Sequence, residues 1–322
     1  MRKQLGTLRL GLGLGLVLGL LSSTVLAADP PGALQAVVSG TPHEALFSIA
    51  FYRDAGIAVG AGGAVLESAD GGRTWKSAPP VTELSLLSAS VGQGTALAVG
   101  QLGVILRMDG DGKWQKVDSG TQSRLLSVKA NAHGSAVAVG AFGTVLKSDD
   151  GGEHWASIAP ASWTDFAEQE PHLYIADIDD NGVITIGGEY GLLLRSGDGG
   201  AHWQVLHKGE ASLFSMQLRA DGSGYAVGQN GTVLHTADHG ASWDEVKVDT
   251  SANLLGVCAA ADGHVVVTGM HDMLLSSDNG GTWRHETGAE VLSSWYAGAT
   301  APPTGSGILA VGHSGQIVRI AE

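Results

Sequence analysis

SSDNGGTW, residues 276–283, sets a serine two positions before Asp278, a glycine two after it, and Trp283 at its end. The same arrangement stands at 68–75 (SADGGRTW), 148–155 (SDDGGEHW), 196–203 (SGDGGAHW) and 236–243 (TADHGASW), with a worn copy at 107–114 (RMDGDGKW). A carboxylate in such a turn accepts hydrogen bonds from nearby backbone N–H groups. Glycine takes the left-handed conformation that most side chains resist. The tryptophan offers a large ring to cover an apolar face. Asp70, Trp75, Asp150, Trp155, Asp198, Trp203, Asp238, Trp243, Asp278 and Trp283 therefore read as structural parts of five similar hairpins rather than as catalytic groups.

A second pattern precedes each tryptophan. It reads AVGAGGAVL at 58–66, AVGQLGVIL at 98–106, AVGAFGTVL at 138–146 and AVGQNGTVL at 226–234. Looser copies are IGGEYGLLL (186–194), TGMHDMLL (268–275) and AVGHSGQIV (310–318). The third residue of the pattern falls at Gly60, Gly100, Gly140, Gly188, Gly228, Gly269 and Gly312, spaced by 40, 40, 48, 40, 41 and 43 residues. A period near 40 with turn signals in every unit marks a repeat architecture. Short apolar runs lie upstream: LFSIA (46–50), LLSAS (86–90), LLSVKA (125–130), LYIADI (173–178), LFSMQL (213–218), LLGVCA (254–259) and LSSWYA (292–297). Each unit reads as four short strands. Seven such units predict an all-β fold, a seven-bladed propeller of four-stranded antiparallel blades. The seventh unit stops after its third strand, so LQAVV (34–38) is expected to close that blade and remove an exposed edge.

Composition agrees with a folded, turn-rich chain: 49 glycines and 43% hydrophobic residues in 322. Arg2, Lys3 and Arg9, the apolar run 8–21 and VLA at 25–27 predict a signal peptide over 1–27, with the propeller occupying 28–322 as one domain. An uncleaved anchor is the other reading, but the apolar run is short against the about 20 residues of a spanning helix. Loss of Arg2, Lys3 and Arg9 takes the formal charge from −14 to −17. Such a surface repels nucleic-acid phosphates and anionic lipid, and neither nucleic acid nor insertion into a membrane is expected. Cys258 is the single cysteine and sits in an apolar run, where it reads as a buried small hydrophobe. Export without a disulfide favours a bacterial periplasm.

Together, the two motifs at fixed spacing over nearly all of 33–322 resemble the Ycf48/HCF136-like family of BNR or Asp-box propellers. The resemblance implies a non-catalytic assembly or stability factor that acts on a membrane complex, as photosystem II factors do, without a cofactor. It also implies a basic contact patch in photosynthetic members. Here Arg53, Arg73, Arg107, Arg124, Arg195, Arg219, Arg284 and Arg319 are scattered over the blades. The expected partner is a membrane-protein complex or exporter of the cell envelope, bound by a monomer.

Turns between the second and third strands should ring one mouth of the channel, together with the loops that join blades. The longest such loop, SWTDFAEQEPH (162–172), holds Trp163, Asp165, Phe166, Glu168, Glu170 and His172. An aromatic pair among acids reads as a partner-binding surface, or else as a packed blade edge. Glu189, Tyr190, His271 and His313 join the candidate surface from the turns. Convergence of Glu189, His271, Asp272 and His313 would offer imidazole and carboxylate ligands to a metal, but nothing in the spacing demands it and no metal is assigned. DIDDNG (177–182) resembles the start of a calcium loop, yet lacks the closing Glu and reads better as a hairpin. Two other function classes remain. A sialidase-like hydrolase needs three arginines on the sugar carboxylate and a Tyr–Glu pair, and its early Arg motif has only FYRDA (51–55) as a counterpart. A small-ligand or metal sensor would use the channel mouth.

Overall fold

A computed structural model describes residues 34–304 and 307–320. The predicted signal segment lies outside the described residues. Seven four-stranded sheets are formed, and each is antiparallel throughout. Blade one is Leu46–Tyr52, Ala55–Gly60, Val65–Ser68 and Lys76–Ser77, from the channel outward. Blades two to six repeat this order and begin at Leu86, Leu125, Leu173, Leu213 and Leu254. Blade seven takes Tyr296–Thr300, Ile308–Gly312 and Ile317–Ile320 from one end of the chain and Leu34–Val38 from the other. Leu34 pairs with Ile320 and Val38 with Ile317, which is the predicted closure.

One expectation needs correction. Part of LSSWYA is not strand: Ala289–Ser293 forms a short helix, and the inner strand of blade seven starts at Tyr296. Val291 is buried, so this helix caps the apolar end of blades six and seven where other junctions carry an extended loop.

The key glycines are set by close approach. In every blade the glycine pairs with the first residue of the inner strand, as Leu46 with Gly60 and Leu213 with Gly228. A Cβ on Gly60 would stand 1.9 Å from the carbonyl oxygen of Ala45. One residue after that pair the register shifts, and the extra residue is squeezed toward the axis. Phe47, Leu87, Leu126, Tyr174, Phe214 and Leu255 occupy this bulge and line a channel of about 480 Å³. Neighbouring blades are sewn together just beyond it. Ser48 accepts the N–H of Ala89 (3.1 Å), Ser88 that of Val128 (3.1 Å), Ser127 that of Ala176 (3.2 Å) and Ser215 that of Val257 (3.3 Å). The cores between blades are filled by the alternating apolar residues of the second and third strands, such as Val137, Val139, Ile184 and Ile186. Cys258 is 1% exposed there, and burial pushes its thiol up to about 12.

The Asp-box hairpins perform the predicted local work. Asp278 Oδ1 accepts the Ser276 hydroxyl (2.8 Å) and the Thr282 N–H (2.8 Å), while Oδ2 accepts the Thr282 hydroxyl (2.7 Å). Ser276 Oγ accepts the N–H of Gly280 (2.8 Å). The pattern recurs at Asp70, Asp150, Asp198 and Asp238. In three boxes the ring nitrogen donates to the backbone, as Trp75 Nε1 to Gly72 O (3.3 Å). Hydrogen bonds from Thr282 and Ser276 hold the Asp278 carboxyl down to about 2, and those from His202 and Ser196 do the same for Asp198. Asp70, Asp150 and Asp238 are lowered in the same way.

A folded-state value below the unfolded one means that the unfolded chain binds more protons on acidification. This stability is present above the ordinary value of 3.8 and is lost as pH falls through the folded values, to about 2 for Asp198 and Asp278. Thermal midpoints should therefore drop between these limits, by an amount that solvent screening of these exposed carboxylates keeps small, and the slope should flatten when all five box aspartates are replaced by Asn. An unchanged slope in that variant would assign acid denaturation to other groups.

Candidate functional site: the face of the GxxG turns

The turns after the second strands and the loops between blades share one face, as predicted. Gly143 N–H bonds Pro171 O (2.8 Å), Gly209 N–H bonds Tyr190 O (2.8 Å) and Gly231 N–H bonds Ala252 O (2.8 Å), each joining a turn to an inter-blade loop. The Asp-boxes lie on the other face with the first hairpins of the blades, as in Gly71 N–H to Asp54 O (3.0 Å). DIDDNG belongs to that face and is a hairpin. Asp179 Oδ1 accepts the N–H of Asn181 (2.9 Å) and of Val183 (2.8 Å), while the Gly182 N–H closes on Asp179 O.

Around blades three and four the long loop and two turns interlock. Glu189 Oε2 accepts the His172 N–H (2.8 Å), and the Tyr190 hydroxyl accepts from Gln169 (2.8 Å). His172 stands edge-on to Phe142, ring centroids 5.0 Å apart, and its Nδ1 accepts the Phe142 N–H (3.3 Å). Asp165, Glu168 and Glu170 are exposed on the same loop. A cavity of about 610 Å³ opens beside them, lined by Phe142, Leu146, Pro160, Thr164, Gln169 and Glu170 among others.

Of the two readings of Trp163, a partner contact or a packed blade edge, the structure has the packed one. Trp163 is 7% exposed and packs in the core shared by blades three and four. A Cβ on Gly143 would stand 2.1 Å from its Nε1, so only glycine leaves room for the ring. Phe166 is half-buried against it at 6.2 Å, edge to face. The two aromatic residues anchor the loop; its acids and Gln169 face outward.

His271 and His313 lie elsewhere, by the helix Ala289–Ser293. His271 N–H bonds Ser294 O (2.9 Å), and His313 Nε2 lies 3.9 Å from Glu290. Asp272 is buried on the Met273 N–H (2.8 Å) and beside His285 (2.9 Å). Glu189, bonded to His172, does not join them. The carboxylate–histidine group with metal-like spacing among the described residues is Asp150, Glu153 and His154, which is exposed on the Asp-box face.

Three arginines join blades through the Asp-box hairpins. Arg107 Nε donates to Gly151 O (2.8 Å), Arg195 to His239 O and Arg319 to Gly72 O (3.3 Å). In each case a third strand reaches the next blade's Asp-box. Among the described residues these bonds draw arginines to the outer rim of the Asp-box face, not into a carboxylate clamp at the channel. A cavity of about 780 Å³ is also on that side, by blades five to seven, where blade seven has no Asp-box hairpin.

Two residues of the GxxG face escaped sequence reasoning. The second variable residue of each turn is left-handed: Gly62 (φ 62°), Leu102 (52°), Phe142 (54°), Tyr190 (60°), Asn230 (55°), His271 (59°) and Ser314 (54°). Leu102 is 65% exposed and Phe142 66%. A bulky residue where the repeat elsewhere accepts Gly or Asn was the available signal.

Comparison with known proteins follows this geometry. A model of the family described as photosynthesis system II assembly factor YCF48 matches residues 36–158, 107–211 and 162–256. No curated protein matches the sequence at a significant level. Among solved structures, YCF48 bound to D1 peptide is 19% identical at TM-score 0.69, covering 92% of this chain and 98% of that one. YCF48 from Cyanidioschyzon merolae is 20% identical at TM-score 0.70, covering 90% and 99%. A GH74 xyloglucanase from Xanthomonas campestris is 14% identical at TM-score 0.67, covering 89% of this chain and 53% of that one. At these identities the structural likeness is one of fold.

Proposed function

Since the chain belongs to the photosynthesis system II assembly factor YCF48 family, we propose that it is an exported, non-catalytic scaffold. It binds an exposed segment of a membrane-protein complex in the cell envelope, through the GxxG face of blades three and four. The interlocked cluster of Phe142, His172, Gln169, Glu189 and Tyr190 carries this reading, because it fixes an acidic, aromatic surface on a rigid scaffold. Sites held on rigid elements present a partner with little ordering cost. The related YCF48 structure with a bound D1 peptide supports peptide recognition as the mode. The signal peptide predicted over 1–27 supports the envelope, and its removal would release the chain from residue 28 onward. The hydrolase reading has weaker support, because Arg107, Arg195 and Arg319 are committed between blades.

The test uses a photo-crosslinking residue at position 190 or, as control, at exposed position 154 on the opposite face. Each variant is expressed in the native host and irradiated in intact envelopes. Crosslinks to a membrane protein are expected from 190 and not from 154. No adduct from 190, or equal adducts from both, would remove the scaffold reading. Deleting 162–172 is a poorer test, since it would also remove the buried Trp163.

A further inference from the structure

Leu102, Phe142 and Tyr190 sit at one structural position in three successive blades. For an L-residue other than Gly or Asn, the left-handed conformation costs about 1–2 kcal/mol. Blades one and five avoid most of that cost with Gly62 and Asn230. Burial does little to compensate Leu102 and Phe142, which keep about two-thirds of their surface in water; Tyr190 is more covered and keeps 36%. Strain that persists without a packing return inside the chain marks a position used from outside.

The charge around the row is mainly negative. Asp118, Asp165, Glu168, Glu170 and Glu210 are exposed on the loops that flank blades two to five, against the cations Arg124 and Lys208. Asp165, Glu168 and Glu170 have no salt bridge among the described residues. An anionic lipid surface would be repelled, and so would the same face of a second copy. A segment that pairs apolar side chains with Lys or Arg would satisfy both the tips and the acids.

We infer that Leu102, Phe142 and Tyr190 form an anchor row for a cationic, apolar segment of a partner protein, with Asp165, Glu168 and Glu170 as its counter-charges. This rests on the scaffold reading and names the chemistry of what that face binds.

The experiment keeps the crosslinking residue at 190 and maps the attached partner segment by mass spectrometry. It is repeated in the double variant Leu102→Asn/Phe142→Asn and in the triple variant Asp165→Ser/Glu168→Ser/Glu170→Ser. Asn accepts the left-handed turn, so the double variant should melt no lower than the parent. The mapped segment should carry Lys or Arg among apolar residues. Adduct yield should fall about tenfold in each variant, the change that about 1.4 kcal/mol of lost binding produces. An acidic segment, a segment of this same chain, or full yield in the double variant would overturn the inference while leaving the scaffold reading in place. Absence of any membrane-protein adduct in the parent would remove the scaffold reading itself.

Discussion

Excision of Leu34–Val38 should leave a chain that collects in the insoluble fraction or melts far below the parent. The strand contributes Leu34, Val37 and Val38, which pack on Ile317, Leu309 and the rest of the closing blade. Three half-buried aliphatic side chains and the ladder of blade seven are together worth roughly 3–5 kcal/mol. Whole domains of this kind are stable by only about 5–15 kcal/mol. The excision also bares Ile317–Ile320 as an unpaired, apolar edge, the kind of edge that recruits other chains. Fractionation and urea melts provide the check. A soluble variant with a parent-like midpoint would mean that closure through this strand contributes little to stability.

Gly228→Ala should be among the most damaging single methyl groups that can be added, and Gly62→Ala one of the mildest. A Cβ on Gly228 would lie 1.9 Å from Ser212 O and 3.0 Å from Leu213 Cα. That carbonyl cannot swing aside cheaply, because it already accepts the Gln229 N–H at 2.9 Å. Overpacking against fixed backbone should cost on the order of 3 kcal/mol or more. Gly62, two residues past the equivalent glycine of blade one, has nothing within 4 Å of its added Cβ. Its φ of 62° leaves only the left-handed penalty, about 1 kcal/mol. Urea midpoints of the two variants should differ clearly in that order. Equal midpoints would show that the inner strand yields at Ser212 and that the close approach is not what fixes glycine there.

Fold was legible because each blade restates it. A hairpin that needs Ser, Asp, Gly and Trp at fixed offsets cannot hide when it recurs five times, and the glycine under the inner strand recurs seven times. Even the closing strand at 34–38 followed, because the last unit lacked a fourth strand. The candidate site was less legible, because it consists of departures from the repeat. The sequence left Trp163 between contact and packed edge, because Gly143 leaves a socket for its ring that no local pattern reports. Leu102 and Phe142 looked like ordinary variable turn residues until their backbone proved left-handed. The helix Ala289–Ser293 was missed because its five residues are too few to show a helical period.

The pairing of Leu34 with Ile320 has a kinetic consequence as well. Blades one to six are made of sequence neighbours and can form early, like beads nucleating along a string. The clasp joins residues almost the full length of the chain apart, which raises the mean sequence separation of native contacts and slows the final step. Until it closes, six finished blades form an open arc whose two terminal faces are apolar and uncovered. Such an arc is a target for holdase chaperones and for domain exchange between copies. Tethering the two ends should therefore speed the slowest refolding phase and leave the earlier ones untouched.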